Sequence, residues 1–316
     1  MWTGNNKDVG ILIIAFGNKR YLDLAINLSM SLKLANNRYP IALVSDLEDE
    51  RIKLFFEELI PIDPSKGSGF SQKMWMYEYS PFQKTLFIDA DCLVVKNIDF
   101  LFEWMKGRPV SCLGEKVYQG KLLGTTIDKL KEFISFEFLP TFNGGVYYFE
   151  KCDLSQQVFE LARDIFSVNY QDWGLWLFNG KPGDEPAMSV AMGHFNLEPV
   201  SDPKRLGMYT PVGQKGVFEI DILNGFCRFE KSGVKVNPAI MHFGGGYPEA
   251  FHYKREIGKM NFFLKTKLPK PIIAALVNLI YNPVYISFVF LYRLLKWVVG
   301  KEKMKLYPLM PMFRFE

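Results

Sequence analysis

Val9-Gly10-Ile11-Leu12-Ile13-Ile14-Ala15 constrains the fold of this chain more than any other segment. A strand with one wet face alternates apolar and polar residues; this run does not alternate. It therefore reads as a strand buried on both faces, the condition of a strand in a parallel sheet covered by helices. The next segments repeat the theme. Tyr21 to Ala35 reads as a helix with Leu22, Ala25, Ile26 and Leu32 along one side, and Ile41-Ala42-Leu43-Val44-Ser45-Asp46 as a second strand. Asp49 to Leu59 reads as a second helix, carrying Ile52, Phe55, Phe56 and Leu59, and Gln72 to Tyr79 as a third. Leu86 to Asp89 follows as another strand. Alternation of this kind predicts an α/β fold, a mostly parallel, Rossmann-like sheet flanked by helices.

Ligands of such sheets bind beyond the carboxyl ends of the strands. Phe16-Gly17-Asn18, Asp46 and the pair Asp89 and Asp91 all fall at such ends. Read as a continuous strand, Leu86 to Val95 puts Asp89 and Asp91 on one face, because alternate side chains share a face. Two hard oxygen donors facing one space suit Mg²⁺ or Mn²⁺, and so a diphosphate ligand. A strand ending in a solvated polar turn would carry the same two residues.

A chain of 316 residues, 16% aromatic, can bury one large core or a core with an appendage. Charge divides it: residues 1–252 hold 26 Lys/Arg against 31 Asp/Glu, whereas residues 253–316 hold 12 against 3. The acidic body is a poor match to nucleic acid, and the basic tail suits an anionic surface. The expected division is a body over 1–255 and a helical tail over 256–316. Cys92, Cys112, Cys152 and Cys227 show no Cys-x-x-Cys spacing and read as reduced, mostly buried thiols. The polar stretch Met1 to Asp8 lacks the apolar core of a secretory signal, so the expected location is cytoplasmic, including the cytoplasmic membrane face.

The second half adds punctuated motifs. Phe142-Asn143-Gly144-Gly145 turns into a strand from Val146 to Phe149. Asp184 and Glu185 precede a helix from Ala187 to Met192, where acids also favour the helix dipole. Met241-His242-Phe243 runs into Gly244, Gly245 and Gly246. With these motifs in this order, residues 9–255 resemble nucleotide-sugar glycosyltransferases of the GT-A fold, of the glycogenin and bacterial galactosyltransferase type. Phe87-Ile88-Asp89-Ala90-Asp91-Cys92-Leu93-Val94 is similar to the metal-binding Asp-x-Asp strand of that family, and Phe142 to Val146 to its turn where donor and acceptor sugars meet. Asp184-Glu185 resembles its later acidic pair, and Met241 to Gly245 its His-Phe-x-Gly element, whose histidine completes the metal site. Ser71-Gln72-Lys73 resembles its diphosphate-holding stretch. One departure stands out: Pro248 occupies the place of an expected lysine, leaving Lys254, Arg255 or the backbone of Gly244–Gly246 to face the diphosphate.

The resemblance implies a metal-dependent transferase that moves a hexose from a nucleotide diphosphate, a UDP-hexose, to a glycan or glycolipid. Asp91 and His242 would be ligands of Mn²⁺ or Mg²⁺, with Asp89 binding the ion, the ribose, or both. Lys73 would face the phosphates, unless it is an exposed helical lysine. Phe16 and Asp46 would frame the nucleobase, or else serve as core and turn cap. Asn143 and Gly144 would meet the donor sugar, and Gly244 and Gly245 its diphosphate. Asp184 and Glu185 would bind the acceptor hydroxyl or act as base. Trp173 and Trp176 fit either an acceptor platform or core packing.

Ile272 to Val299 is apolar but interrupted by Asn282-Pro283, Arg293 and Lys296. Neither half reaches the roughly twenty apolar residues of a spanning helix. Lys265, Lys267 and Lys270 precede it, and Lys301, Lys303 and Lys305 follow. The pattern fits an interfacial element on anionic lipid, or a helical pair packed on the body. Two rival readings share the fold. A sugar-phosphate nucleotidyltransferase would open with a Gly-rich basic loop, but Ala15 to Arg20 holds one glycine. A membrane-associated sugar-binding scaffold would tolerate loss of Asp91.

Overall fold

A computed structural model describes residues 8–178, 180–266 and 268–299. The readings of Met1–Lys7 and of Lys267, Lys301, Lys303 and Lys305 lie outside the described residues, as do the side chains of Arg293 and Lys296. The chain divides into two compact units, one of residues 8–29, 38–90 and 99–204, the other of 30–37, 91–98 and 205 onward.

The first unit is the α/β body. Its sheet contains β1 (Val9–Ile14), β2 (Ile41–Ser45), β3 (Glu58–Pro61) and β4 (Lys84–Ile88). Two further strands complete it, Val110–Ser111 and Val146–Glu150, called β6 and β7 because β5 (Cys92–Val94) lies between them and β4 in the chain. The spatial order is β3-β2-β1-β4-β7-β6. β1 pairs in parallel with β2 and β4, and β2 with β3, while β7 runs antiparallel to β4 and β6. The order reverses at β1, between β2 and β4, which is where a crevice opens in sheets of this kind. Ile11, Leu12 and Ile13 are fully buried, as the unbroken apolar run requires. Each contributes about 1.5–3 kcal/mol by leaving water. Helices α1 (Lys19–Leu34), α2 (Asp153–Asp164) and α3 (Asp184–His194) supply apolar faces, with Leu22, Ala25, Val158, Phe159, Ala187 and Val190 buried.

Three local expectations change. The helix expected over Asp49 to Leu59 shrinks to Ile52–Phe55, and the chain extends at Phe56 into β3. The i, i+3, i+4, i+7 apolar spacing does suit a helix. It loses to the edge of β2, whose unpaired backbone groups accept β3 from Glu58 to Pro61. Gln72 to Tyr79 forms two short helical turns, Phe70–Lys73 and Met76–Tyr79, instead of one helix. Asp89 and Asp91 do not share the face of one strand. β4 stops at Ile88, Asp89-Ala90-Asp91 makes a turn, and β5 enters a different sheet.

In the second unit β5 joins a three-stranded sheet with β8 (Met208–Tyr209) and β9 (Ile240–His242) in the order β8-β9-β5. A separate antiparallel meander spans 214–236. Two helices follow, α4 (Phe251–Lys265) and α5 (Lys270–Val299). α4 carries a buried ion cluster: Glu256 and Lys259 are 0% and 1% exposed and pair at 3.0 Å. α5 continues through Pro283 as one helix, where the sequence suggests an interruption. Among the described residues, no helix is long and apolar enough to cross a membrane.

Candidate functional site

Lys73 is the hub of the first unit. Its ammonium lies 2.9 Å from Asp89 Oδ2 and 3.0 Å from Asp184 Oδ2, and donates to the Gly144 carbonyl at 3.3 Å. The side chain is buried, contrary to the exposed helical lysine that its sequence also allows. Burial opposes its charge, but Asp184 and Asp89 outweigh burial and hold its pKa above the ordinary lysine range. The Tyr147 hydroxyl donates to Asp184 Oδ2 at 2.8 Å, and the Gly144 N–H donates to Glu185 Oε1 at 2.6 Å. Burial and the neighbouring Asp184 and Glu185 carboxylates push the Tyr147 pKa well up, so the phenol keeps its proton. Asp184 and Glu185 sit in the first turn of α3, yet both carboxylates reach the 143–147 segment instead of merely capping their own helix.

Gly144 makes this convergence possible. A Cβ there would stand 2.6 Å from Asp184 Oδ2 and 2.8 Å from both Glu185 Cγ and the Tyr147 hydroxyl. Gly144→Ala is therefore expected to push the acidic pair off the turn and cost about 1–3 kcal/mol, as overpacking does. Urea unfolding measures this; an unchanged midpoint would contradict the close approach. Asn143 closes the same turn, its Oδ1 accepting from the Gly145 N–H at 3.1 Å. The turn is fastened to the end of β4 where the Asp89 N–H donates to the Gly145 carbonyl at 2.9 Å. At the neighbouring strand ends, Asp46 Oδ1 accepts from the Gly17 N–H at 2.8 Å, which ties the segment after β1 to the end of β2.

In the second unit Asp91, Cys92 and His242 form a cluster whose ligand atoms all lie within 4.8 Å of one another. His242 Nε2 is 3.1 Å from Asp91 Oδ1. The register of β5 against β9 opposes Cys92 to His242, and directly opposed residues of an antiparallel pair project to the same face. The Phe243 N–H donates to the Asp91 carbonyl at 3.0 Å, which fixes the turn against β9. Gly244 packs on the imidazole: a Cβ there would lie 3.2 Å from His242 Nε2. Gly245 has φ of 68°, a left-handed conformation that glycine adopts without strain. One nitrogen, one carboxylate oxygen and one sulfur around a common point are a donor set for a divalent transition ion. Imidazole and thiolate suit transition ions, and carboxylate suits Mg²⁺, Ca²⁺ and Mn²⁺.

Other expected residues lie elsewhere. Arg255 is committed to structure, its guanidinium donating to Glu256 Oε1 and to the Ile220 carbonyl at 2.8 Å each. Lys254 pairs with Glu249 at 2.7 Å on an exposed surface. Trp173 is buried and stacks on Phe133, whereas Trp176 is 53% exposed. Tyr147 and Cys92 escape a reading of motifs. Tyr147 looks like an ordinary strand aromatic, and Cys92 gains meaning only from its register with His242. Cys92, Cys112 and Cys227 are buried, and Cys152 is exposed.

The mostly parallel sheet that reverses at β1, with antiparallel β7, is the GT-A fold, shared with solved glycosyltransferase structures. Among solved structures, the galactosyltransferase LgtC in complex with donor and acceptor sugar analogs superposes with a TM-score of 0.50 at 12% identity, covering 75% of this chain and 88% of that one. An active-site mutant of LgtC gives 0.53 at 14% identity, covering 84% and 99%. In sequence, a 108-residue segment is 27% identical to galactinol synthase 5 of Arabidopsis thaliana and 26% identical to galactinol synthase 6. The segment covers 29% of this chain, and the chain spans about a third of the length of these relatives (32%). No family model matches the chain.

Proposed function

We propose that this chain is a metal-dependent hexosyltransferase that moves a hexose from a nucleotide diphosphate, a UDP sugar, to a hydroxyl of a glycan or glycolipid. The observation that carries the reading is the approach of Asp91 Oδ1 to His242 Nε2 at 3.1 Å, within a motif order that fits the fold. Asp91 and His242 would hold Mn²⁺ or Mg²⁺. Bound there, such an ion neutralises charge that builds on the leaving diphosphate. Asp89 contacts the ion or the ribose. Phe16 stacks on the nucleobase, with Asp46 holding the loop that presents it. Asn143 and Gly144 meet the donor hexose, and the backbone of Gly244 and Gly245 meets the diphosphate.

Asp184 and Glu185 orient the acceptor hydroxyl. Lys73 pairs with Asp89 and Asp184 and so offsets part of the negative charge gathered beside them. The galactosyl chemistry in LgtC's name supports galactose as the first donor sugar to try. Calorimetry of UDP binding with and without Mn²⁺ tests the proposal. Binding that needs the metal is the expected result. Equal binding, or none, under both conditions would overturn the metal-dependent UDP reading.

A further inference from the structure

Among its described side chains, α5 is apolar on two sides, one covered and the other exposed. On one side Ile273, Ala274 and Val277 are buried, while Tyr285 stacks on Phe251 of α4 with ring centroids 4.3 Å apart. Gly258 of α4 lets the helices close, since a Cβ there would lie 3.2 Å from the Tyr281 hydroxyl. On the other side Ile272, Leu276, Leu279, Ile280, Ile286 and Phe290 are 41–72% exposed. Their spacing of i, i+4, i+7, i+8, i+14 and i+18 places them on a single stripe along the helix. A water-facing stripe would be polar. Six large apolar side chains in line mark a surface that something covers.

We infer that this stripe seats on an anionic lipid surface, with α5 lying in the plane of the headgroups. The charge pattern selects the occupant. Residues 253–316 carry 12 Lys/Arg against 3 Asp/Glu. Lys265 closes α4 and Lys270 opens α5, and Lys301, Lys303 and Lys305 follow α5 in sequence. A second copy of this chain would bring the same excess of positive charge against the first. Anionic headgroups compensate it, at about 1 kcal/mol for each basic residue near the surface. Since no described helix is long and apolar enough to cross a bilayer, α5 lies on the lipid by its stripe.

The test is co-sedimentation of the full chain with vesicles of phosphatidylcholine alone and of phosphatidylcholine mixed with phosphatidylglycerol. The variant is Leu279→Glu/Ile280→Glu/Ile286→Glu, at positions 65–72% exposed, where the fold draws little from the side chain. The wild type is expected to pellet with the anionic vesicles, less so at high salt, and the variant to bind at least about tenfold more weakly. No pelleting with anionic vesicles, or equal pelleting of the variant, overturns the inference. So does a dimer in light scattering that the variant dissolves, because the stripe would then cover itself. UDP binding is read separately and is expected to survive in the variant, so failure here leaves the transferase proposal standing.

Discussion

Lys73→Met is expected to destabilise the protein by about 3–5 kcal/mol, the cost of breaking a buried ion pair by removing one partner. The substitution keeps most of the apolar stem and removes the charge. Asp89 and Asp184, each within 3.0 Å of the ammonium in the wild type, are then left beside Glu185 without their cation. The midpoint of urea unfolding is the readout, and Lys73→Met/Asp184→Asn is expected to recover part of the loss. A midpoint equal to that of the wild type would show that the carboxylates find compensation elsewhere. The lysine's share of the pairing does not change with pH near neutrality. Because the lysine pKa is raised, its contribution is complete below the ordinary value of 10.5 and declines only in strong alkali.

Asp91→Ala is expected to act on binding more than on stability. Its side chain is 24% exposed but meets the buried His242, so the loss in unfolding free energy is about 1–3 kcal/mol, the cost of leaving a buried polar partner unpaired. Removing one of three clustered donors should weaken Mn²⁺ binding about a hundredfold or more. The electron paramagnetic resonance signal of free Mn²⁺ reads this directly, without reference to activity. Metal-dependent UDP binding should vanish in parallel. Mn²⁺ and UDP binding unchanged in Asp91→Ala would remove Asp91 from the metal site, whereas no UDP binding even by the wild type would favour a scaffold that kept the fold.

Much of the fold was legible because burial leaves a local trace. The unbroken apolar runs at Val9–Ala15 and Ile41–Val44 mark strands buried on both faces, and β1 and β2 form there. Asp89, Asp184 and Gly144 were legible as residues of interest from their motifs. Their convergence on Lys73 was not, since it joins positions separated by up to 111 residues in the chain (73 to 184). β3 was illegible for a related reason. The helical spacing of Ile52 to Leu59 is a local signal, and it is overridden by hydrogen bonding to a strand edge formed elsewhere.

The sequence by itself determined the α/β class, the strand ends that carry Phe16, Asp46 and Asp89, and the excess of positive charge in the tail. These depend on which residues stand next to one another, and hydrophobic periodicity encodes that. Only the tertiary structure decided that Asp89 and Asp91 leave one sheet for another, that Cys92 stands opposite His242, and that α5 keeps an apolar stripe uncovered. Each depends on strand register or helix docking between distant segments. The physical reason is that side-chain pairing across a fold is set by backbone topology, and no local periodicity records it.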